Sequence, residues 1–404
     1  MTDICLIFEL HQPFRVKKDF FWGRRLFEEE DDLFDHYFDL KLDQRIFEKV
    51  TAKCYYPTNE TILELIEAFG GKFRVAYSIS GTFIEQCERN DPALIDSFRD
   101  LSDTGCVEFL DQTYYHSLSS LYEDEDGFIE EVRMHQDLMK DLFGTTPRVF
   151  ENTELLYNDR IAKMVEDLGY QGIIAEGAAR VLRGRSPNQI YLPEKGDIKV
   201  LLRNYQLTDD IGFRFSSRAW EEYPLTADRY ASWLAATPGD CITIFPDYET
   251  FGEHHWQDTG IFEFLKALPG EVLKRDDINF VTPSEAIKRH APSGRLEVGP
   301  WDTTSWADIE RTTASWIGNT MQWACYSHHK HLKSFRMSEK ERMIWHYLGA
   351  SDHFYYMFMQ GGSAGEVHNY FSHFASPYDA FVTYFSVLLD FGARLRGGKE
   401  WKRG

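Results

Sequence analysis

Short apolar runs recur along the chain, and most of them stop abruptly at a polar cluster. The clearest cover residues 4–10, 73–80, 107–111, 148–152, 172–175, 200–203, 241–245 and 278–281. Their brevity and continuous apolar character predict buried strands. Between them lie runs of helical period, among them residues 61–69, 92–101, 128–143, 159–168, 227–234 and 261–268. Such alternation predicts a parallel sheet with crossover helices. Several of the strand ends carry His, Asp or Glu, which favours a closed barrel with its site on one face over an open sheet. The G-x-G-x-x-G turn of a dinucleotide fold does not occur, nor does a P-loop.

The pattern changes near residue 283. Thr282-Pro283-Ser284-Glu285 reads as a capping box with Pro at the first helical position. After a link at 292–300, bearing Gly and Pro, the chain turns helical almost throughout, mainly over 307–326, 338–359 and 376–394. Ser338 with Glu341 forms another capping box, and Ser376-Pro377 another start signal. The expectation is a barrel over residues 1–290 followed by a helical region over 291–404. The acidic run at 28–32 is expected to be a solvated loop.

Composition narrows the functions. The chain has 404 residues, 43% of them hydrophobic, enough for a large core. A formal net charge of −21 disfavours phosphate backbones and anionic lipid surfaces, so neither nucleic acid nor membrane is an expected partner. Neutral sugars are not repelled. Aromatic residues make up 15%, with ten Trp and twenty-one Tyr, whose flat faces suit either sugar stacking or a large core. The six cysteines are scattered, with no C-x-x-C pair, and the N-terminus carries Asp3 and Glu9 inside its apolar run with no basic region ahead of it. A reduced, cytoplasmic setting is the expectation. No apolar run approaches the ~18 residues of a membrane span.

Five segments carry chemistry. Glu9-Leu10-His11-Gln12-Pro13 ends the first strand. Val107-Glu108-Phe109-Leu110-Asp111-Gln112-Thr113-Tyr114-Tyr115-His116-Ser117 ends the third. Val149-Phe150-Glu151-Asn152-Thr153-Glu154-Leu155 ends a strand in acids, and Asn158 then starts a helix. Ile244-Phe245-Pro246-Asp247-Tyr248-Glu249-Thr250-Phe251-Gly252 ends another in two acids, with His254 and His255 just beyond. Ser351-Asp352-His353-Phe354-Tyr355-Tyr356-Met357 lies in the helical region. Buried carboxyls are unfavourable unless paired or used. Only a closed fold brings Glu154 and Asp247 together, and two facing carboxyls are the arrangement of glycoside hydrolysis.

The chain resembles glycoside hydrolase family 57, in its α-amylase-like branch. Five ordered motifs have counterparts here: His11-Gln12-Pro13, the surroundings of Tyr115-His116, Thr153-Glu154, the stretch Asp247 to Gly252, and Ser351-Asp352-His353-Phe354. Many members carry a Trp just before the nucleophile, where this chain has Glu151-Asn152. The resemblance implies an α/β fold, an incomplete (β/α)7 barrel followed by a C-terminal helical domain that contributes to the cleft. It implies a retaining mechanism on α-glucans without a metal cofactor, with Glu154 as nucleophile and Asp247 as general acid/base. A retaining pair stands about 5–5.5 Å apart, and its surroundings must split the two proton affinities.

His11, Tyr115, His116, Trp220, Glu249, Trp256, Asp352 and His353 are the candidates for contact with an α-glucan or maltooligosaccharide. Each has a plainer role open to it. Glu154 could serve a helix dipole, Asp247 a turn, and Glu249 a structural hydrogen bond. The two His could be satisfied core residues, Asp352 and His353 a helix-surface pair, and the aromatics core packing. No H-x-x-x-H or H-E-x-x-H occurs, and His328, His329 and His331 read as an exposed helix end rather than a metal site. The leading expectation is an α-1,4-glucan hydrolase of α-amylase type. A 4-α-glucanotransferase or branching enzyme would use the same carboxyls. A non-catalytic glycan-binding protein and a metal-dependent polysaccharide deacetylase are readings of other classes. Oligomeric state is open.

Overall fold

The computed structural model describes residues 2–23, 32–307, 309–359 and 372–397. All eight apolar runs form strands: β1 (Thr2–Leu10), β2 (Val75–Ile79), β3 (Val107–Phe109), β4 (Val149–Glu151), β5 (Gly172–Glu176), β6 (Lys199–Arg203), β7 (Cys241–Ile244) and β8 (Ile278–Phe280). Every pairing is parallel, and the path runs β3-β2-β1-β7-β6-β5-β4, with β8 against the first residues of β1. The two ends meet at one bridge between Asp111 and Phe150, where the Asp111 N–H donates to the Val149 carbonyl at 3.1 Å and the Glu151 N–H to the Asp111 carbonyl at 2.8 Å. Seven strands thus follow one another around an incomplete (β/α)7 barrel, as expected. The seam is buttressed from outside: the carboxyl of Asp111 accepts from Tyr170 and contacts His135, whose Nε2 reaches the Ile79 carbonyl at 2.6 Å.

Strand alternation sorts the side chains. On β1, Ile4, Leu6, Phe8 and Leu10 pack outward under the helices, while Cys5 and Ile7 join Ala76, Val149, Ile174, Leu201, Cys241 and Phe245 inside the barrel. This inner layer is apolar at the base. One inward step further along, the same strands present Glu9, Ser78, Glu151, Glu176, Arg203 and, past the end of β7, Asp247. An apolar plug is therefore capped by a polar layer at the C-terminal mouth.

Local signals explain most helix boundaries. The capping boxes at Thr282 and Ser338 both form, and the Asn158 side chain caps the helix Asp159–Asp167. The helical run expected at 61–69 is the end of a longer piece, Leu40–Val50, a π turn Thr51–Tyr55, and Tyr56–Ala68. Sparse apolar positions and Pro57 hid its beginning. The run expected at 307–326 is broken: helices cover only Ala314–Ile317 and Thr320–Leu332, because the Asn319 capping box starts a new helix. Likewise 338–359 divides into Glu339–Tyr347 and Ser351–Tyr355, parted where Ala350 bridges to Ser117. The last helix, Pro377–Gly397, shares one hydrophobic cluster with barrel residues, where Phe150 and Ile173 join Trp316, Phe354 and Tyr384. Among the described residues no helix is long and apolar enough to cross a membrane. Of the acidic run at 28–32, residues 28–31 lie outside the described residues, and Asp32 caps the helix Leu33–Tyr37.

Candidate active site

A cavity of about 190 Å³ opens at the C-terminal mouth of the barrel, lined in part by Glu9, His11, His116, Glu154, Asp247, Glu249, Trp306 and Asp352. Glu154 reaches it from a strained turn. Glu154 and Leu155 both have left-handed backbones, with φ of 58° and 51°, a conformation unfavourable to residues bearing a Cβ. The surroundings hold the turn in place. The Glu154 carbonyl accepts from the Ser305 hydroxyl at 2.8 Å, and the Asn152 amide donates to the Leu156 carbonyl at 2.8 Å.

Donors surround the Glu154 carboxyl. The Trp306 indole N–H donates to Oε2 at 2.7 Å, and the Ser351 hydroxyl to Oε1 at 2.7 Å. His116 Nε2 stands 3.5 Å from Oε1. These are surroundings suited to a carboxylate anion. Trp306 is itself fixed, with the Arg203 guanidinium 5.5 Å over its ring, and Arg203 is pinned by Glu176 at 2.9 Å and Asp209 at 2.7 Å.

Asp247 follows Cys241, Thr243 and Phe245 on the inward side of β7. Burial and the neighbouring Glu154 charge raise its pKa to about 7. The environments of the two carboxyls thus differ in the sense that acid/base division needs. Burial and then Asp247 push Glu249 up to about 8, while its Oε1 accepts from the Tyr55 hydroxyl. Tyr55 closes the π turn, and π turns often mark functional sites.

The two His form a stacked pair, ring centroids 4.1 Å apart. His11 Nε2 contacts Asp352 at 2.8 Å and its Nδ1 contacts Ser80 at 2.8 Å. Burial and His116 lower the His11 pKa to about 4, so it is neutral: Nε2–H donates to Asp352 and Nδ1 accepts from Ser80. Burial opposes the Asp352 charge, and contact with His11 outweighs it, holding this carboxyl below the usual range. For His116 burial opposes the charge, and Glu154 overcomes it and raises the pKa.

Glu154, Asp247, His11, His116, Glu249 and Asp352 therefore converge. Four other candidates do not reach the cavity. Tyr115 is buried against His346 and Tyr347, with centroids 4.9 and 4.7 Å away. His353 is buried on Tyr384 at 5.0 Å and donates to the Tyr347 carbonyl. Trp220 packs edge-on to Trp233 at 6.2 Å. Trp256 is 59% exposed outside the barrel, with the Lys53 ammonium 5.3 Å from its ring. For Tyr115 and His353 the motif neighbour points to the cavity and the candidate turns into the core. His329 is another correction: it is buried between Tyr122 and the Trp345 carbonyl, not on an exposed helix end. The sequence reading missed Trp306, Ser80, Tyr55 and Arg203. It missed Ser351 as well, although that residue lies within the fifth motif, and no spacing rule singles out the other four.

The model of the family described as "Glycosyl hydrolase family 57" matches residues 5–299. A Methanocaldococcus jannaschii protein, whose name assigns it provisionally to the alpha-amylases, is 47% identical over 96% of this chain and 84% of its own length. The chain belongs to glycosyl hydrolase family 57, a family of glycoside hydrolases. An alpha-amylase of Pyrococcus furiosus is 26% identical over 62% of this chain, and that match spans only 37% of the relative. Among solved structures, a 4-alpha-glucanotransferase from Thermococcus litoralis superposes with a TM-score of 0.68 at 17% identity, over 98% of this chain and 60% of that one. A family 57 branching enzyme from Thermococcus kodakaraensis gives 0.65 at 14% identity, over 98% and 90%. These two similarities concern the fold.

Proposed function

We propose that the chain hydrolyses α-1,4-linked glucans with retention, Glu154 acting as nucleophile and Asp247 as general acid/base. The observation that carries this reading is the pairing in one cavity of a carboxyl ringed by donors with a carboxyl whose pKa is raised to about 7. Glu154 attacks the anomeric carbon as the glycosidic C–O bond breaks, and Asp247 gives its proton to the leaving oxygen. The sugar is then an ester of Glu154. Asp247, now ionised, takes a proton from water, whose oxygen attacks the same carbon and releases Glu154. Two inversions leave the anomeric configuration unchanged. His11, His116, Glu249 and Asp352 hold sugar hydroxyls or neighbouring carboxyls. The helical region supplies Ser351 and Asp352, so barrel and helices together complete the site. The amylase names of the sequence relatives support hydrolysis over transfer.

The test is product sizing. Incubation with maltooligosaccharides of one length is expected to give shorter chains only, and Glu154→Gln and Asp247→Asn are each expected to lose that activity. Products longer than the substrate would replace hydrolysis by transfer, and activity unchanged in Glu154→Gln would remove the mechanism.

A further inference from the structure

Glu9 has no assigned role in the reaction above. It follows Cys5 and Ile7 on the inward side of β1, so strand alternation carries it into the cavity that Glu154 and Asp247 also line. Its backbone N–H donates to the Pro246 carbonyl at 3.2 Å, which fixes it beside Asp247. The residue is 3% exposed. Oε1 accepts from the Gln112 amide at 3.2 Å and stands 3.7 Å from His116 Nδ1. Oε2 is buried with no hydrogen-bond partner.

A carboxyl kept only for the fold would have both oxygens satisfied, because an unpaired buried polar atom is destabilising by about 1–3 kcal/mol. Glu9 belongs to the wall of the cavity, so a bound ligand can supply the partner this carboxyl lacks. Accepting the reaction proposed for Glu154 and Asp247, we propose that Glu9 is a sugar-recognition residue, its Oε2 hydrogen-bonded to a hydroxyl of the glucosyl ring lodged between those two carboxyls. Burial, and then the adjacent Glu151, push the Glu9 pKa well above the ordinary carboxyl value, and in its protonated form such a carboxyl both donates and accepts. A site built around a substrate hydroxyl discriminates strongly against the analogue lacking it.

The experiment compares α-glucosyl fluoride with its 2-, 3-, 4- and 6-deoxy analogues on wild type, Glu9→Ala and Glu9→Gln, measuring kcat/KM and thermal unfolding. One deoxy analogue is expected to lose about 10- to 100-fold more than the others in wild type. Glu9→Ala is expected to lose a similar factor on the parent sugar, and no further on that analogue. Glu9→Gln, which keeps the shape and a polar tip, is expected to retain part of the discrimination. Equal losses on every analogue in both variants would overturn the assignment to Glu9 while leaving the reaction intact. A wild-type chain inert toward all of these glucosides would overturn the reaction itself.

Discussion

Glu154 and Asp247 are chemically alike, and their neighbours make them different. Glu154 meets an indole N–H and a hydroxyl, whereas Asp247 meets a low-dielectric wall and the charge of Glu154. The sign of the pH dependence follows. An acid with a pKa of about 7 is protonated below that pH, and it must be protonated to serve the leaving oxygen. The kcat/KM for a maltooligosaccharide is therefore expected to fall as pH rises past about 7. For α-glucosyl fluoride, whose leaving group needs no proton, the same limb is expected to flatten. Identical limbs for the two substrates would remove Asp247 from the acid role. Trp306 offers a second measurement. Trp306→Phe keeps a ring beneath Arg203 and deletes the N–H on Glu154. A hydrogen bond to a charged group contributes about 1.5–3 kcal/mol, so kcat is expected to drop roughly 10- to 100-fold with a smaller change in KM. An unchanged kcat would show that Ser351 and His116 suffice. This contact was invisible in the sequence, because its partners are separated by 152 positions and neither obeys a local periodicity.

Strand ends are where sequence and structure agree most closely. An apolar run that stops at an acid is a barrel strand passing from its plug to its mouth, and β1, β4 and β7 each do so within a few residues. Irregular backbone was less legible. The π turn Thr51–Tyr55 leaves no periodic signature, yet it brings Tyr55 to Glu249 and the Lys53 carbonyl to Gly252. Gly252 has φ of 108°, and a Cβ there would stand 2.0 Å from that carbonyl oxygen. The glycine that closes the Asp247 motif is thus required by the turn packed against it. Gly252→Ala is expected to lower Tm by several degrees and to reduce activity through displacement of Glu249. A variant with wild-type Tm and activity would contradict this account. Tyr115 and His353 failed for the opposite reason: a motif fixes the residue that points inward, and its neighbour then turns into the core.

At the scale of the molecule, the C-terminal helices are part of the site. Ser351 and Asp352 act on Glu154 and His11, whose positions in the chain are 197 and 341 residues away. The order of barrel followed by helices was readable from the change in period near residue 283, but that those helices contribute to the cleft was implied only by the family resemblance, since amphipathic faces do not name their partners. The proposed reaction turns on one chemical event, transient attachment of a sugar to Glu154. The direct measurement is to incubate the full chain with 5-fluoro-α-glucosyl fluoride, which forms the ester quickly and releases it slowly, and to locate the label by peptide mass spectrometry. The account predicts one fluoroglucosyl group per chain, on the peptide carrying Glu154, and none in Glu154→Gln. A label on another carboxyl, or turnover with inverted configuration and no label, would contradict it.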